Sequence, residues 1–293
     1  MHVVITGGSS GIGLEIARIY ARNRASVTIL ARDRQRLNVA QAALLSEPGA
    51  AKEKLQVLSA DVTCRENLSQ AIRAATELQG PCDVLVAAAG EVEPALFEHM
   101  PSEVFDRQIV TNITGTVNAV RACYESMLER GEGKIMIIAS AAAMIGIPGY
   151  TAYCASKTAL TGFAEALAAE AKGRGIDVMI SYPPDTLTPQ LERERLQRPK
   201  EASLLIGQSV EVAAYDVARK IVRAIDRCNP KLIFGTRLGF LYMFGPMIKP
   251  TVYRWFHWRL QRLGSKTVMP AAEAAVQNGT NTKTSGAIGG GTS

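Results

Sequence analysis

The chain has 293 residues, of which 47% are hydrophobic, so it is long enough to bury one large core or two small ones. Its formal net charge of +6 equals the six cations between Arg237 and Lys266, a stretch without acidic residues, so the rest of the chain is neutral overall and is not a basic nucleic-acid binder. The five scattered cysteines indicate free thiols in a reducing compartment, and the three separated histidines offer no metal-ligand spacing.

Seven short apolar runs alternate with helical patterns along the chain. They lie at residues 2–6, 26–30, 54–59, 82–87, 133–139, 176–181 and 231–234. Such alternation predicts a parallel sheet whose two faces are both covered by helices. The sequence therefore predicts an α/β fold, a Rossmann-type doubly wound seven-stranded parallel sheet, in one domain over residues 1–235. Ligands of such sheets bind beyond the carboxyl ends of the strands.

The first apolar run is followed by the glycine-rich segment TGGSSGIG and then by a helical pattern. A strand, a glycine turn and a helix N-terminus together form a phosphate site, because free backbone N–H groups and the helix dipole face the anion. A glycine cluster alone is also compatible with a plain loop, but this position favours a dinucleotide site. The candidate cofactor residues of this turn are Gly7, Ser9, Ser10, Gly11, Ile12 and Gly13.

Arg32 directly follows the second apolar run, and Arg36 lies one helical turn further on. An enzyme that binds NAD places an acid here for the ribose 2′-hydroxyl, whereas this chain has Ala31. The forked guanidinium of arginine suits a 2′-phosphate. The basic cluster is also compatible with ordinary helix-surface charge, but the missing acid favours NADPH over NADH.

Tyr153 and Lys157 stand four positions apart in the run YCASK, and Ser140 ends an apolar run upstream. Residues four apart share one face of a helix, so the phenol and the ammonium point into the same space. A lysine cation beside the phenol lowers its pKa from near 10 and makes the tyrosine a usable acid or base. Although Y-x-x-x-K also occurs by chance on surface helices, the glycine turn favours a catalytic interpretation.

Taken together, these motifs resemble the short-chain dehydrogenase/reductase family over roughly residues 2–235. The resemblance is carried, in the family's order, by the glycine turn, Asp61, Val62, Ala89, Gly90, Asn112, Ser140, Tyr153 and Lys157. It implies that Asp61 accepts from the adenine amine and that Val62 packs on the adenine ring. It also implies that Ala89 and Gly90 line the ribose. The family usually has an asparagine where this chain has Ala87, so we expect some loss of stability there.

The same resemblance implies hydride transfer from a nicotinamide to a ketone carbon. Tyr153 would donate the proton, and Ser140 would hydrogen-bond the same oxygen. Lys157 would lower the tyrosine pKa and bind the nicotinamide ribose, and Asn112 would hold a water that links the lysine to solvent. Relatives of this family are often dimers or tetramers, and the apolar stretch at residues 158–171 suits such packing.

The run YPPDTLTP at residues 182–189 differs from most of the family, which has Pro-Gly where Pro183 and Pro184 stand. Thr186 and Thr188 would close over the nicotinamide carboxamide, and Pro183, also a candidate cofactor residue, would rigidify that turn together with Pro184. Residues 188–210 would form the substrate lid, although a solvated helix is an equally good interpretation. This run resembles family members that reduce a long-chain keto-sphingoid base. It implies NADPH-dependent reduction of 3-ketodihydrosphingosine to dihydrosphingosine. The alternatives are another lipophilic ketone or alcohol, such as a steroid, retinoid or acyl chain, or a catalytically silent NADP-binding protein.

Residues 236–264 combine aromatic and basic side chains around an uncharged run that is too short to span a bilayer. This composition favours a segment that lies in the lipid headgroup region, although an arm packed on the domain or across a dimer is the alternative. We expect attachment to the cytosolic face of the endoplasmic reticulum membrane. Residues 265–293, rich in Ala, Gly, Thr and Ser without periodicity, are predicted to be disordered.

Overall fold

The computed structural model describes residues 1–206 and 211–267, and its main feature is a seven-stranded parallel sheet in the order β3-β2-β1-β4-β5-β6-β9. The strands of this sheet are β1 His2–Thr6, β2 Ser26–Ala31, β3 Leu55–Ser59, β4 Val84–Ala87, β5 Gly133–Ile138, β6 Ile176–Tyr182 and β9 Lys231–Ile233. Each predicted strand is confirmed to within two residues at either end. The sequence did not predict a second, two-stranded parallel sheet of β7 Thr186–Leu187 and β8 Val212–Ala213.

Helices connect the strands and cover both faces of the sheet. The described helices are α1 Gly11–Arg22, α2 Arg34–Leu45, α3 Arg65–Gln79, α4 Ser102–Ile109, α5 Gly115–Arg130, α6 Thr151–Ala171, α7 Pro189–Gln197, α8 Lys200–Ile206, α9 Ala214–Asp226 and α10 Gly235–Thr267. The predicted lid corresponds to α7 and α8, and its residues 207–210 lie outside the described part of the chain. The predicted disordered tail lies outside it from residue 268 onward.

Two hydrophobic cores lie on the opposite faces of the sheet. Successive strand residues alternate between them: Ile5 joins one core with Ile16 of α1, and the neighbouring Val4 joins the other with Leu68 of α3. All four of these side chains are fully buried. Because both faces are covered, the strands are continuous apolar runs, and this is why they could be read from the sequence.

The order of the strands brings the predicted site residues to one edge. Strand β1 is hydrogen-bonded to β2 on one side and to β4 on the other, so the chain winds away from β1 in both directions. In such a sheet the ligand crevice opens at this reversal, beyond the carboxyl ends of the strands. The glycine turn follows β1, and the other strands of this region end near Arg32, Asp61, Gly90, Ser140 and Pro183.

The described chain separates into two compact units, and the division falls between Gly245 and Pro246, within α10. In the first unit, Leu238, Leu241 and Tyr242 of α10 pack against the sheet core. In the second unit, α10 contains Pro250 and continues to the end of the described chain. None of the helices in residues 1–206 and 211–267 combines the length and the hydropathy needed to cross a membrane.

Candidate active site

The glycine turn between β1 and α1 is built so tightly that only glycine fits its key positions. Gly7 has a φ of +70°, and a Cβ there would lie 2.8 Å from the backbone of Ala89. A Cβ on Gly13 would lie 2.5 Å from the carbonyl oxygen of Gly7. Both distances are shorter than those at which real Cβ atoms approach backbone atoms, so the turn requires glycine at positions 7 and 13.

The N-terminus of α1 is open to an anion. Ser10 is the N-cap residue, but its side chain makes no capping hydrogen bond, and the first turn carries no acidic residue. Ser9 and Ser10 are both partly exposed, whereas Ile12 packs its side chain against the core. Backbone N–H groups and two hydroxyls therefore remain at the helix end, which is the arrangement that holds a phosphate. A dinucleotide cofactor fits this turn.

Beside the turn, the structure places Arg32 and Arg36 with about half of each side chain exposed, at 54% and 58%. An acid does stand nearby, because Asp33 follows Arg32. Its carboxylate, however, caps α2 by accepting from the backbone N–H groups of Gln35 at 2.9 Å and Arg36 at 3.0 Å. The same carboxylate also pairs with Arg36, whose Nε lies 3.4 Å from Asp33 Oδ2. The preference of this edge for a 2′-phosphate stays a prediction.

Glu91 is a residue of this edge that the sequence did not reveal. Its carboxylate lies 3.4 Å from Arg32 Nη2 and accepts a hydrogen bond from Arg107 Nε at 2.9 Å. Arg107 in turn contacts Glu93 at 2.5 Å. The two acidic residues thus hold one guanidinium from α4, and Glu91 also restrains Arg32 at the mouth of the cofactor region. The contacts span 14 to 59 positions, so local sequence carries no signal for them.

Asp61 and Val62 follow β3 as predicted, and both make contacts within the chain. Asp61 Oδ1 accepts from the N–H and the hydroxyl of Thr63, each at 2.8 Å. Val62 is 6% exposed, and its Cγ2 lies 2.6 Å from the Cβ position of Gly115. The absence of a side chain at Gly115 therefore makes room for Val62 against α5. Their predicted contacts with adenine stay predictions.

Asn112 lies at the centre of the site, in a π-helical turn over Val110–Thr114 between α4 and α5. Its Oδ1 accepts from Glu91 N at 2.8 Å, and its Nδ2 donates to Glu91 O at 3.0 Å and to Ser156 Oγ at 2.9 Å. The side chain is completely buried. Asn112 thus clamps the segment that follows β4. Its predicted water-holding role stays a prediction, because these contacts assign it a structural role first.

Gly90 is the point where the predicted residues converge. A Cβ on Gly90 would lie 3.1 Å from Asn112 Oδ1 and 3.3 Å from Lys157 Nζ. Nearby, Ala89 N donates to Thr6 Oγ1 at 3.3 Å. Thr6 pairs with Ala87 in the sheet, and Ala87 stands where the family usually has an asparagine. The Thr6 hydroxyl thus accepts a hydrogen bond close to that position. The structure therefore joins the end of β4, the clamp and the lysine in one small volume.

Ser140, Tyr153 and Lys157 meet at the carboxyl end of β5, as the sequence predicts. The Ser140 hydroxyl lies near enough to the Tyr153 phenol to lower its pKa, and Ser140 Oγ accepts from Ala142 N at 3.2 Å. Lys157 Nζ lies 5.7 Å from the centroid of the Tyr153 ring and donates to Ile138 O at 3.0 Å. Two hydroxyls and a cation are thus brought to one place.

The electrostatics of this group differ from the expectation of a lowered tyrosine pKa. Desolvation raises the pKa of Tyr153 above its ordinary value; the hydrogen bond to Ser140 opposes this effect, and the carboxylate of Glu194 adds to it. Burial also lowers the pKa of Lys157 to about 8. The lysine does not offset the desolvation of the phenol, because it is 5.7 Å from the ring and its own charge is disfavoured by burial. The protein chain by itself therefore holds a protonated tyrosine.

The segment after β6 closes the site from the other side. Pro183 O accepts from Ala141 N at 2.9 Å, which ties this segment to the turn that holds Ser140. Thr186 Oγ1 donates to Pro184 O at 2.8 Å. Thr188 is the N-cap of α7, where its hydroxyl accepts from Leu191 N at 3.2 Å, and its Cγ2 lies 3.0 Å from the Cβ position of Gly11. Thr188 therefore faces the phosphate turn, and the predicted carboxamide contacts stay predictions.

Comparisons with known proteins agree with this arrangement. A family described as short chain dehydrogenase matches residues 1–199. The chain is 39% identical over 237 residues to 3-dehydrosphinganine reductase of Danio rerio, in an alignment that covers 80% of this chain and 71% of that protein. It is 37% identical over 241 residues to 3-ketodihydrosphingosine reductase of Bos taurus, with 81% and 71% covered. Among solved structures, a single-residue variant of actinorhodin polyketide ketoreductase with NADPH gives a TM-score of 0.72 at 27% identity, covering 81% of this chain and 97% of that one.

The chain therefore belongs to the short-chain dehydrogenase family, and it is an oxidoreductase. The family that the motifs predict and the seven-stranded Rossmann-type fold are both confirmed. Family membership supports a nicotinamide cofactor, which the glycine turn and the uncapped N-terminus of α1 fit.

Proposed function

We propose that the protein is an NADPH-dependent ketoreductase that converts 3-ketodihydrosphingosine to dihydrosphingosine in sphingolipid synthesis. Similarity to the Danio rerio and Bos taurus proteins, whose names refer to this ketone, supports the choice of substrate. The observation that carries the reaction type is that Ser140, Tyr153 and Lys157 meet at the carboxyl end of β5, with Lys157 Nζ 5.7 Å from the Tyr153 ring centroid. Two hydroxyls that meet in this way can both bind one carbonyl oxygen.

In this mechanism the chain contributes a proton and a place for negative charge. When bound, the nicotinamide supplies the hydride that reduces the ketone carbon. Tyr153 gives its phenolic proton to the oxygen as that oxygen becomes an alkoxide, and Ser140 donates a hydrogen bond to the same oxygen. Lys157 and Gly90 would hold the ribose next to the nicotinamide. The clamp by Asn112 fixes the backbone on which this ribose contact depends.

A direct assay of ketone reduction tests this proposal. Purified protein is mixed with NADPH and 3-ketodihydrosphingosine, and with a steroid ketone and a short-chain ketone for comparison. We expect the sphingoid ketone to be reduced fastest, and Tyr153→Phe to lower kcat by about 10²- to 10⁴-fold because the acid is lost. Tyr215→Phe changes a tyrosine that is 42% exposed and serves as the matched control. Near-normal turnover by Tyr153→Phe would contradict the mechanism.

The choice of NADPH depends on the pair Arg32 and Arg36 next to the turn. We expect Arg32→Asp to raise the KM for NADPH by about 10-fold or more and to leave the KM for NADH unchanged, because only the 2′-phosphate loses a bidentate partner. Arg34→Asp changes an exposed arginine at the start of α2 and serves as the control. An unchanged KM for NADPH in Arg32→Asp would reject the assignment.

We also propose that residues 236–264 attach the protein to a membrane surface, at the cytosolic face of the endoplasmic reticulum. In support, α10 exposes large apolar side chains: Phe240 at 55%, Met243 at 71%, Met247 at 78%, Trp255 at 43% and Trp258 at 47%. Its sequence contains cations and no acidic residue, which suits an anionic lipid surface. The long-chain ketone is itself a lipid that partitions into bilayers.

Within the second unit, cation–π contacts place charge next to the aromatic rings. The guanidinium carbon of Arg259 lies 5.2 Å from the Trp255 ring centroid, and that of Arg262 lies 3.8 Å from the Trp258 ring centroid. We expect the double variant Trp255→Ala and Trp258→Ala to lose flotation with anionic liposomes. Phe97→Ala removes an aromatic side chain that is 70% exposed outside α10, and this control should float like the wild type. Equal flotation of the double variant would refute the attachment.

We further propose that the protein forms a homodimer or homotetramer through α6. The exposed positions of this helix include the small residues Ala155, Ala159, Gly162, Ala166 and Ala169. Nothing lies within 4 Å of the Cβ position of Gly162, so another backbone can approach there. Light scattering should give a dimer or tetramer mass for the wild type and a monomer mass for Gly162→Arg. A monomeric wild type would refute this assembly.

A further inference from the structure

Four polar side chains meet next to Tyr153 and have no role in the proton transfer described above. We call them the lid cluster: Tyr150, Asp185, Glu194 and Arg198. The Tyr150 hydroxyl donates to Glu194 Oε1 at 2.6 Å and accepts from Arg198 Nε at 3.0 Å. The rings of Tyr150 and Tyr153 contact each other edge to face, with 6.3 Å between their centroids. The lid cluster is therefore adjacent to the proposed proton donor.

The lid cluster holds two carboxylates and one guanidinium. Arg198 Nη2 is 2.6 Å from Glu194 Oε1 and 3.4 Å from Asp185 Oδ2, so the two acids share one cation. The side chains of Glu194 and Arg198 are each 12% exposed, and that of Asp185 is 27% exposed. Both carboxylates help to raise the pKa of Tyr153, so their field reaches the phenol.

Three separate elements fix the lid cluster relative to the reacting group. Tyr150 precedes α6, which carries Tyr153, and Asp185 follows β6. Glu194 lies in α7, and Arg198 caps its C-terminus. This convergence brings α7 onto the start of α6, and Tyr150 links Glu194 to the neighbourhood of the Tyr153 ring.

We propose that Asp185 and Glu194 bind the ammonium group of an α-amino ketone whose carbonyl oxygen is held by Tyr153 and Ser140. This inference rests on the proposed function, because the ketone of 3-ketodihydrosphingosine carries an amino group on the neighbouring carbon. A carboxylate that binds this ammonium must lie near the phenol, and the lid cluster, which adjoins the Tyr153 ring, contains two carboxylates. Charge-assisted hydrogen bonds to a carboxylate then distinguish this ketone from an uncharged one.

The test compares two ketones that differ only in the amino group. The full-length protein is assayed with NADPH and either 3-ketodihydrosphingosine or its desamino analogue, 1-hydroxyoctadecan-3-one. We expect the wild type to have a kcat/KM for the amino ketone about 10- to 100-fold above that for the analogue, as the loss of a charged hydrogen-bond partner implies. Asp185→Asn and Glu194→Gln should each lower this ratio by about 10-fold. For the analogue, the change in kcat/KM should be the smaller one, because there each variant removes only the effect of the carboxylate on the Tyr153 phenol.

Controls separate recognition from a structural role of the lid. Glu192→Gln neutralises an exposed acid on the same helix and should leave the ratio unchanged. If Asp185→Asn and Glu194→Gln lower kcat/KM equally for both ketones, the lid cluster is a structural contact and the inference is wrong. A wild type that reduces both ketones equally well also overturns it and leaves the proposed function intact. A wild type that reduces neither ketone overturns the proposed function, and this inference with it.

Discussion

Replacing Asn112 by alanine should lower the free energy of unfolding of the protein as well as its turnover rate. The wild-type amide makes three hydrogen bonds, two to the backbone of Glu91 and one to Ser156 Oγ. Ser156 retains its bond to Tyr153 O at 2.8 Å, but the N–H and C=O of Glu91 each lose a partner. An unsatisfied buried group costs about 1–3 kcal/mol, and these two are only partly buried, so we expect the free energy of unfolding to fall by about 2–4 kcal/mol.

Urea unfolding followed by far-ultraviolet circular dichroism measures this loss. Tryptophan fluorescence is unsuitable, because both tryptophans, Trp255 and Trp258, lie in α10 and not in the sheet. Asn118→Ala is a matched control: this buried asparagine of α5 donates one hydrogen bond, to Val62 O at 2.9 Å, and its removal should cost about 1–2 kcal/mol. If the free energy of unfolding of Asn112→Ala lies within about 0.5 kcal/mol of the wild-type value while turnover falls, clamping the backbone is not the main role of Asn112. The predicted water-holding role would then be the one that remains.

Two further predictions concern the cofactor turn and the buried lysine. Gly13→Ala should abolish NADPH binding while the sheet still folds, because the new Cβ would lie 2.5 Å from Gly7 O. A titration of cofactor fluorescence measures the affinity, and a wild-type affinity would contradict the steric requirement for glycine in this turn. Lys157 has a pKa lowered to about 8 by burial, so between pH 8 and the ordinary 10.5 the unfolded chain binds a proton that the folded chain has released. The free energy of unfolding of the wild type should therefore rise with pH across this window relative to that of Lys157→Met, by an amount on the order of 3 kcal/mol. Urea midpoints that change with pH in the same way in both proteins would contradict the lowered pKa.

The features that the sequence predicts correctly are those that short-range periodicity encodes. The strands are buried on both faces, so their sequences are uninterrupted apolar runs. The glycine turn is local, since the space that a Gly13 side chain would need is taken by Gly7 O, six positions earlier. Tyr153 and Lys157 lie on one helix, so their spacing alone places them together. Each of these signals lies within a single strand, turn or helix.

The features that escape the sequence arise from tertiary contacts. The sequence predicts that the acid after β2 is missing, and only the structure shows that the neighbouring Asp33 uses its carboxylate to cap α2. Asn112 reaches Glu91 across 21 positions, and Arg198 reaches Tyr150 across 48. The residue types alone do not distinguish a lid cluster beside the phenol from solvated charge on α7. Long-range partners of polar side chains are set by the packing of elements, which no local pattern records.

The raised pKa of Tyr153 keeps the proton on the phenol, which is the form that the proposed reduction uses. In reduction, the tyrosine must be protonated when the alkoxide forms, and the alkoxide is far more basic than a phenolate. Desolvation keeps the phenol protonated at neutral pH, and the carboxylates of Asp185 and Glu194 act in the same direction. Oxidation of an alcohol needs the phenolate as a base, which the same surroundings disfavour. The site therefore holds the form of tyrosine that a ketoreductase requires, and the acidic lid that would bind an ammonium also keeps the proton donor in its protonated form.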